Sequence, residues 1–143
     1  MKTTKKLNLK IIIIGEPAVG KTSLVKKFIS KEFTQDYKSS IGTNIFIKTI
    51  NLKNFGEFTI QLWDIAGQER WTMMRNSYYA GAKGVIVVGD LTRKNTFEQI
   101  VNFWFPDIKK YCEFAPIVLI ANKCDLDKKL DDVEINTYGQ IIN

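Results

Sequence analysis

The chain has 143 residues, 45% of them hydrophobic and 25% charged, which excludes a disordered polymer and allows one domain, 1–143, with a real core. It contains no histidine, so chemistry through an imidazole acid, base or metal ligand is excluded. The net charge of +6 comes from 21 basic and 15 acidic residues; beyond Lys2, Lys5 and Lys6 the lysines are scattered, as on a solvated surface, and no nucleic-acid motif accompanies them.

Residues 9–14 form an apolar run that reads as a first strand. Gly15-Glu16-Pro17-Ala18-Val19-Gly20-Lys21-Thr22 follows, and residues 21–31 read as a helix with Leu24, Val25, Phe28 and Ile29 on the face that should pack on a sheet. Residues 32–43 have no period and read as a loop. Residues 45–50 and 58–63 alternate as strands, and Lys53-Asn54-Phe55-Gly56 between them suits a hairpin, so the two should pair antiparallel. Gln68-Glu69-Arg70 opens an expected short helix. Residues 85–88 and 117–120 are continuous apolar runs, as in buried parallel strands. Between them Phe97, Ile100, Val101, Trp104 and Ile108 make a helical stripe that Pro106 should kink or loosen. A last helix is expected after Asp131, with Gly139 inside it. Alternating strands and helices predict an α/β layered domain with a mostly parallel sheet and one antiparallel strand.

Cys112 and Cys124 match no metal or redox spacing, and a reducing cytosol fits them. The basic start before an apolar run superficially resembles a signal peptide, but the run stops at Gly15-Glu16, too short for one. No stretch is long enough to span a bilayer.

Three polar clusters follow strands, and in such folds ligands sit at the strands' carboxyl ends. The first has the form G-x-x-x-x-G-K-[ST], a phosphate-binding loop. Its glycines let successive N–H groups converge on phosphate oxygens, and the helix behind adds its positive dipole end. Lys21 would reach the β- and γ-phosphates, and the Thr22 hydroxyl would bind Mg²⁺. The second is Asp64-Ile65-Ala66-Gly67-Gln68. Asp64 could hold Mg²⁺ directly or through water, the Gly67 N–H could meet the γ-phosphate, and Gln68 could position a water. Taken alone, Asp64 reads equally as a helix cap and Gln68 as a surface residue. The third, Asn122-Lys123-Cys124-Asp125, has the form N-K-x-D. Asp125 can accept from guanine N1–H and the 2-amino group, donors that adenine lacks. Asn122 would tie the loops together, and the Lys123 stem would cover the base. Taken alone, this is a polar loop; as the third cluster in order it is more.

The chain resembles the Ras-like small GTPases, and within them the Rab type. The resemblance is carried by Gly15 to Leu24, Tyr37-Lys38-Ser39-Ser40-Ile41-Gly42, Trp63 to Arg70, Tyr78-Tyr79-Ala80-Gly81-Ala82, Val85 to Thr92, and Asn122-Lys123-Cys124-Asp125-Leu126. It implies a three-layer G domain that binds GTP or GDP with Mg²⁺ and hydrolyses GTP slowly. Gly15, Ala18, Val19, Gly20, Lys21, Thr22 and Ser23 would hold the phosphates, with Lys21 and Gln68 catalytic. Two mobile segments, from Phe33 to Thr43 and from Ala66 to Arg75, would meet an exchange factor, a GTPase-activating protein and effectors. Phe33 would edge the guanine, Tyr37 would close over the γ-phosphate, and Ser40 would join Thr22 and Asp64 on Mg²⁺ in the triphosphate state. The implied place is cytoplasmic, peripheral to endomembranes.

Four departures qualify the likeness. Ser40 replaces the family's threonine, so a looser closed state is expected. Pro17 stands near Gln68's place of action, has no N–H, and is expected to weaken hydrolysis. Ile45 replaces the phenylalanine of an aromatic triad that Trp63 and Tyr78 complete. The chain stops at Asn143, so the last strand, last helix and prenylated tail are expected to be absent and one sheet face bare. The alternative reading is a non-hydrolysing guanine-nucleotide-binding interaction module. A basic nucleic-acid binder rests on charge alone, and no nucleic-acid partner is expected.

Overall fold

The computed structural model describes residues 6–32, 43–66 and 75–143. Its elements in chain order are β1 (Lys6–Ile14), α1 (Lys21–Glu32), β2 (Thr43–Leu52), β3 (Gly56–Ile65), α2 (Arg75–Tyr79), β4 (Ala82–Asp90) and α3 (Lys94–Gln99). A π turn (Ile100–Trp104), α4 (Phe105–Tyr111), β5 (Ile117–Asn122) and α5 (Asp132–Ile142) complete them. The five strands form one sheet in the order β2-β3-β1-β4-β5. β1 lies parallel to β3 and β4, and β4 parallel to β5. β2 runs antiparallel to β3, with Ile50 opposite Phe58 and Leu52 opposite Gly56, the hairpin that the alternation predicts. Asn54 and Gly56 make the turn with positive φ angles of 76° and 105°, which side chains other than Asn and Asp rarely tolerate.

Side chains on a strand alternate between faces, and the isoleucine run of β1 shows it. Ile12 and Ile14 enter the larger core, with Val85, Val87, Phe97, Ile100, Trp104, Ile108 and Ile142 beneath α3 to α5. Ile13 enters the smaller core on the other face, with Val25 of α1, Phe46, Leu62 and Val88. A run apolar at every position is what a strand buried on both faces requires. Helices therefore cover both faces, and the carboxyl ends of β1, β3, β4 and β5 share one rim.

The strands extend past the periodic residues by up to three positions, because pairing continues where the apolar pattern has ended; Lys6 already pairs with Glu57. The helical stripe holds, with Phe97, Ile100, Trp104 and Ile108 buried and Val101 half-buried. Pro106 has its predicted effect just upstream. It cannot donate an N–H, and the preceding turn widens so that the Phe105 N–H reaches the Ile100 carbonyl. The last helix forms with Gly139 inside it, capped by Asp131, which accepts from the Glu134 N–H at 2.8 Å.

One expectation fails. Phe28 does not pack on the sheet but is 58% exposed. It borders an open apolar groove of about 550 Å³ between α1 and the sheet, lined by Ile11, Ile13, Ile50, Ile60 and Ile86. Helical spacing puts Phe28 on the correct side of α1, but α1 alone is too narrow to close that side. The Ile29 side chain and the helix expected from Gln68 lie outside the described residues.

The two phenylalanines at the extremes of burial set a scale for the core. Phe97 is fully buried against Gly89, and Phe114 is 94% exposed. Phe97→Ala should cost about 3–5 kcal/mol, and Phe114→Ala less than about 0.5 kcal/mol, in urea denaturation followed by circular dichroism.

Candidate functional site

The segment between β1 and α1 turns sharply. Gly15 and Gly20 have φ angles of 149° and 99°, and Ala18 also takes a positive φ of 61°. A side chain at Gly20 would collide with the Asn122 amide, and one at Gly15 with the Val88 carbonyl, so the ends of β4 and β5 press closely on the loop. The loop's acceptors are distributed to separate donors. The Glu16 carboxylate accepts from the Trp104 indole N–H at 3.1 Å. The Pro17 carbonyl accepts from Arg93 at 2.9 Å, the Ala18 carbonyl from Lys123 Nζ at 3.0 Å, and the Val19 carbonyl from Asn122 Nδ2 at 2.9 Å. A loop whose carbonyls are held outward is prepared to present N–H groups on its inner side.

Lys21 opens α1 and is buried. Its Nζ donates to the Gly15 and Glu16 carbonyls at 3.0 and 2.8 Å. Burial pushes its pKa down to about 8, against the attraction of Asp64 and Glu16. Thr22 follows, and its hydroxyl donates to Asp64 Oδ2 at 2.8 Å across from the end of β3. Asp64 is buried; burial raises its pKa, while the Thr22 hydrogen bond and the Lys21 charge oppose the rise. Its Oδ1 is buried and has no hydrogen-bond partner among the described residues. The Thr22 hydroxyl and the Asp64 carboxylate, whose Oδ1 is the orphaned oxygen, are donors of the kind that a hard divalent cation takes, with the remaining positions left to phosphate and water. The first two clusters of the sequence thus meet at one point.

The third cluster joins them at the end of β5. Asn122 and Lys123 reach back to the loop as described, and Lys123 takes a positive φ of 67°. Asp125 is exposed two residues further on. Ser23 is exposed on the first turn of α1. Phe33, Tyr37, Ser40, Gly67 and Gln68 lie outside the described residues.

Four further residues carry the site, and the sequence assigns them no role there, Trp104 being read only as part of a helical stripe: Glu16, Asp90, Arg93 and Trp104. Asp90, at the end of β4, is fully buried. It takes Lys123 Nζ at 2.8 Å and Arg93 Nε at 3.0 Å, with the Thr92 N–H at 2.8 Å and hydroxyl at 2.6 Å. Burial works to raise its pKa, but these hydrogen bonds outweigh it and hold the carboxyl well below the usual carboxylate range. Asp90 therefore sets both cations that grip the loop. A buried Asp closing a strand, with Thr and Arg just after it, was the available signal.

The Ras family profile matches residues 10–140. The chain is 42% identical to Ras-related protein Rab-32A of Dictyostelium discoideum over 125 residues, 83% of this chain and 57% of that protein. It is 39% identical to Ras-related protein Rab-12 of Mus musculus over 137 residues, 94% of this chain and 56% of that protein. To Ras-related protein Rab-1 of Theileria annulata it is 42% identical over 118 residues, 82% of this chain and 53% of that protein. The chain thus spans a little over half the length of these relatives.

Replacing Asp90 tests the hub. Asp90→Asn leaves Lys123 and Arg93, both partly exposed, without their counter-charge, and should cost about 2 kcal/mol. The depressed pKa gives the sign of the pH dependence. The stabilisation is complete above the unfolded value of about 3.9 and is lost as pH falls through the lower folded value. Denaturation from pH 7 into the acid range should show a steeper loss of stability in the wild type than in Asp90→Asn.

Proposed function

The chain belongs to the Ras family, and from that premise we propose that it is a guanine-nucleotide switch of the Rab type that binds GTP and GDP with Mg²⁺ and hydrolyses GTP slowly. The observation that carries the reading is the meeting of three separate sequence clusters at one loop: Thr22 against Asp64, Lys21 at the loop's mouth, and Asn122 and Lys123 on its outer carbonyls.

In this reading the loop N–H groups and Lys21 bind the β- and γ-phosphates. Bound Mg²⁺, on Thr22 and Asp64, would screen the charge of the phosphate oxygens. Asp125 recognises the guanine edge, because a buried adenine would leave its carboxylate unpaired. Lys123 lays its stem along the base. Phe33, Tyr37, Ser40, Gly67 and Gln68 take the roles that the family resemblance implies, with Gln68 orienting the attacking water. Regulators and effectors would meet the segments from Phe33 to Thr43 and from Ala66 to Arg75. The likeness to Rab proteins supports a place peripheral to endomembranes; no helix among the described residues is long and apolar enough to cross a membrane.

One observation favours the non-hydrolysing alternative. Pro17 offers no N–H, and its carbonyl is fixed by Arg93, so the loop is least adjustable beside the place where water must be aligned.

Chain purified in Mg²⁺ should release near-stoichiometric guanine nucleotide on denaturation, and lose it after chelation; chromatography reads both. Lys21→Ala should abolish retention while the chain stays folded. A folded wild type with no guanine nucleotide would overturn the reading, and bound nucleotide with no Mg²⁺-dependent phosphate release would select the non-hydrolysing module. Lys21 adds a second expectation. Phosphate should restore its charge, so binding near pH 8 should take up about half a proton, falling toward zero near pH 6.5. Calorimetry in two buffers of different ionisation heat measures the uptake.

A further inference from the structure

The Glu16 carboxylate poses a problem that the proposed nucleotide chemistry does not solve. It belongs to a loop meant to hold a polyanion, where a free carboxylate would repel the ligand. The structure turns it away. Its Oε1 accepts from the indole N–H of Trp104, 88 residues later, at 3.1 Å. Trp104 is only 2% exposed, and a buried indole N–H needs an acceptor. An indole donates a hydrogen bond without adding a charge of its own, so it orients the carboxylate and leaves the loop's field unchanged.

The helix is built to deliver this donor. Trp104 is the last residue of the π turn that precedes Pro106. Such turns are rare and occur frequently at functional sites. Phe103 packs edge-on against the Trp104 ring, with centroids 4.9 Å apart at 90°, which fixes the direction of the indole. One loop residue further on, Arg93 holds the Pro17 carbonyl. Glu16 and Pro17 are thus held from the α3 side, and Ala18 and Val19 from the β5 side.

We propose that Trp104 is a positioning residue for the phosphate loop, and that its hydrogen bond to Glu16 sets how long guanine nucleotide stays bound. The inference rests on the nucleotide-binding reading above and adds to it a residue outside all three motifs. Without the donor, the first half of the loop loses a tie that stands beside those of Lys21 and Arg93. Dissociation then accelerates, while the core around Trp104 keeps its aromatic filling.

Dissociation of a fluorescent GDP analogue from the purified chain in Mg²⁺ tests this, with excess unlabelled GDP as chase. Trp104→Phe keeps the ring and removes the donor, and should raise the dissociation rate about tenfold. Glu16→Gln keeps an acceptor for the indole and should stay within about twofold of wild type. Glu16→Ala should raise the rate at least as much as Trp104→Phe, and adding Trp104→Phe to Glu16→Ala should raise it no further, because the bond is already gone. A merely structural role for Trp104 gives a different pattern: Trp104→Phe lowers thermal stability, and its effect on the rate adds to that of Glu16→Ala. If Trp104→Phe does not fold, the Glu16→Gln and Glu16→Ala rates decide; equal rates overturn the proposal. Wild type that binds and a folded Trp104→Phe that releases at the wild-type rate overturn the proposal alone. Wild type that holds no nucleotide overturns the reading beneath it, and the proposal with it.

Discussion

A loop that points its N–H groups at an anion must place its carbonyls elsewhere, since an unmatched backbone acceptor in a buried setting is costly. That accounting governs the rim of this sheet. From Gly15 to Val19 the carbonyls go to Lys21, Arg93, Lys123 and Asn122. The donors come from α1, from the segment after β4, and from the end of β5. They can reach one loop only because β1 lies in the middle of the order β2-β3-β1-β4-β5. The topology and the loop's hydrogen bonds are two statements of one constraint.

Charge follows the same logic. Gripping the loop with Arg93 and Lys123 brings two cations close to the site, and both are paired to the buried Asp90. Asp90 fixes their direction and offsets their charge, which leaves Lys21 as the cation whose partners are backbone carbonyls. Lys21 is also the one whose pKa burial lowers to about 8. The group with the least settled charge is the one at the mouth of the loop. In the proposed nucleotide-binding reading, an incoming phosphate would favour the charged form of Lys21.

The fold was legible where chemistry is local. The isoleucine run of β1, the hairpin turn at Asn54 and Gly56, and the Asp131 cap of α5 each follow from a few adjacent residues. Pro106 told that the helix would be disturbed, but not that the disturbance would be a π turn ending on a buried Trp104. Phe28 misled, because helical periodicity reports which side of α1 faces the sheet and says nothing of whether the sheet is wide enough to leave that side open. Each motif at the site was legible for the same local reason. The ties between motifs were not, because they join residues 76, 88, 103 and 105 positions apart, and no local pattern encodes such a distance.

The two faces of the sheet differ in a way that bears on the site. The face under α3 to α5 carries the larger core, including Phe97, Trp104 and Ile108. The other is held by α1 through Val25, with Leu24 partly buried and Phe28 at the edge of an open groove. Lys21 and Thr22 sit on the first turn of that less supported helix. Local opening is easiest where few apolar contacts must be broken, so α1 is the element whose loosening would most readily withdraw them from Asp64. A phosphate ligand that engages Lys21 and Thr22 binds the packed form of α1 and not the loosened one, and so stabilises it by mass action. In the proposed reading, the packing of Val25 and the affinity of the loop for phosphate are therefore linked quantities, though Val25 lies four residues from Lys21 and is buried in the smaller core.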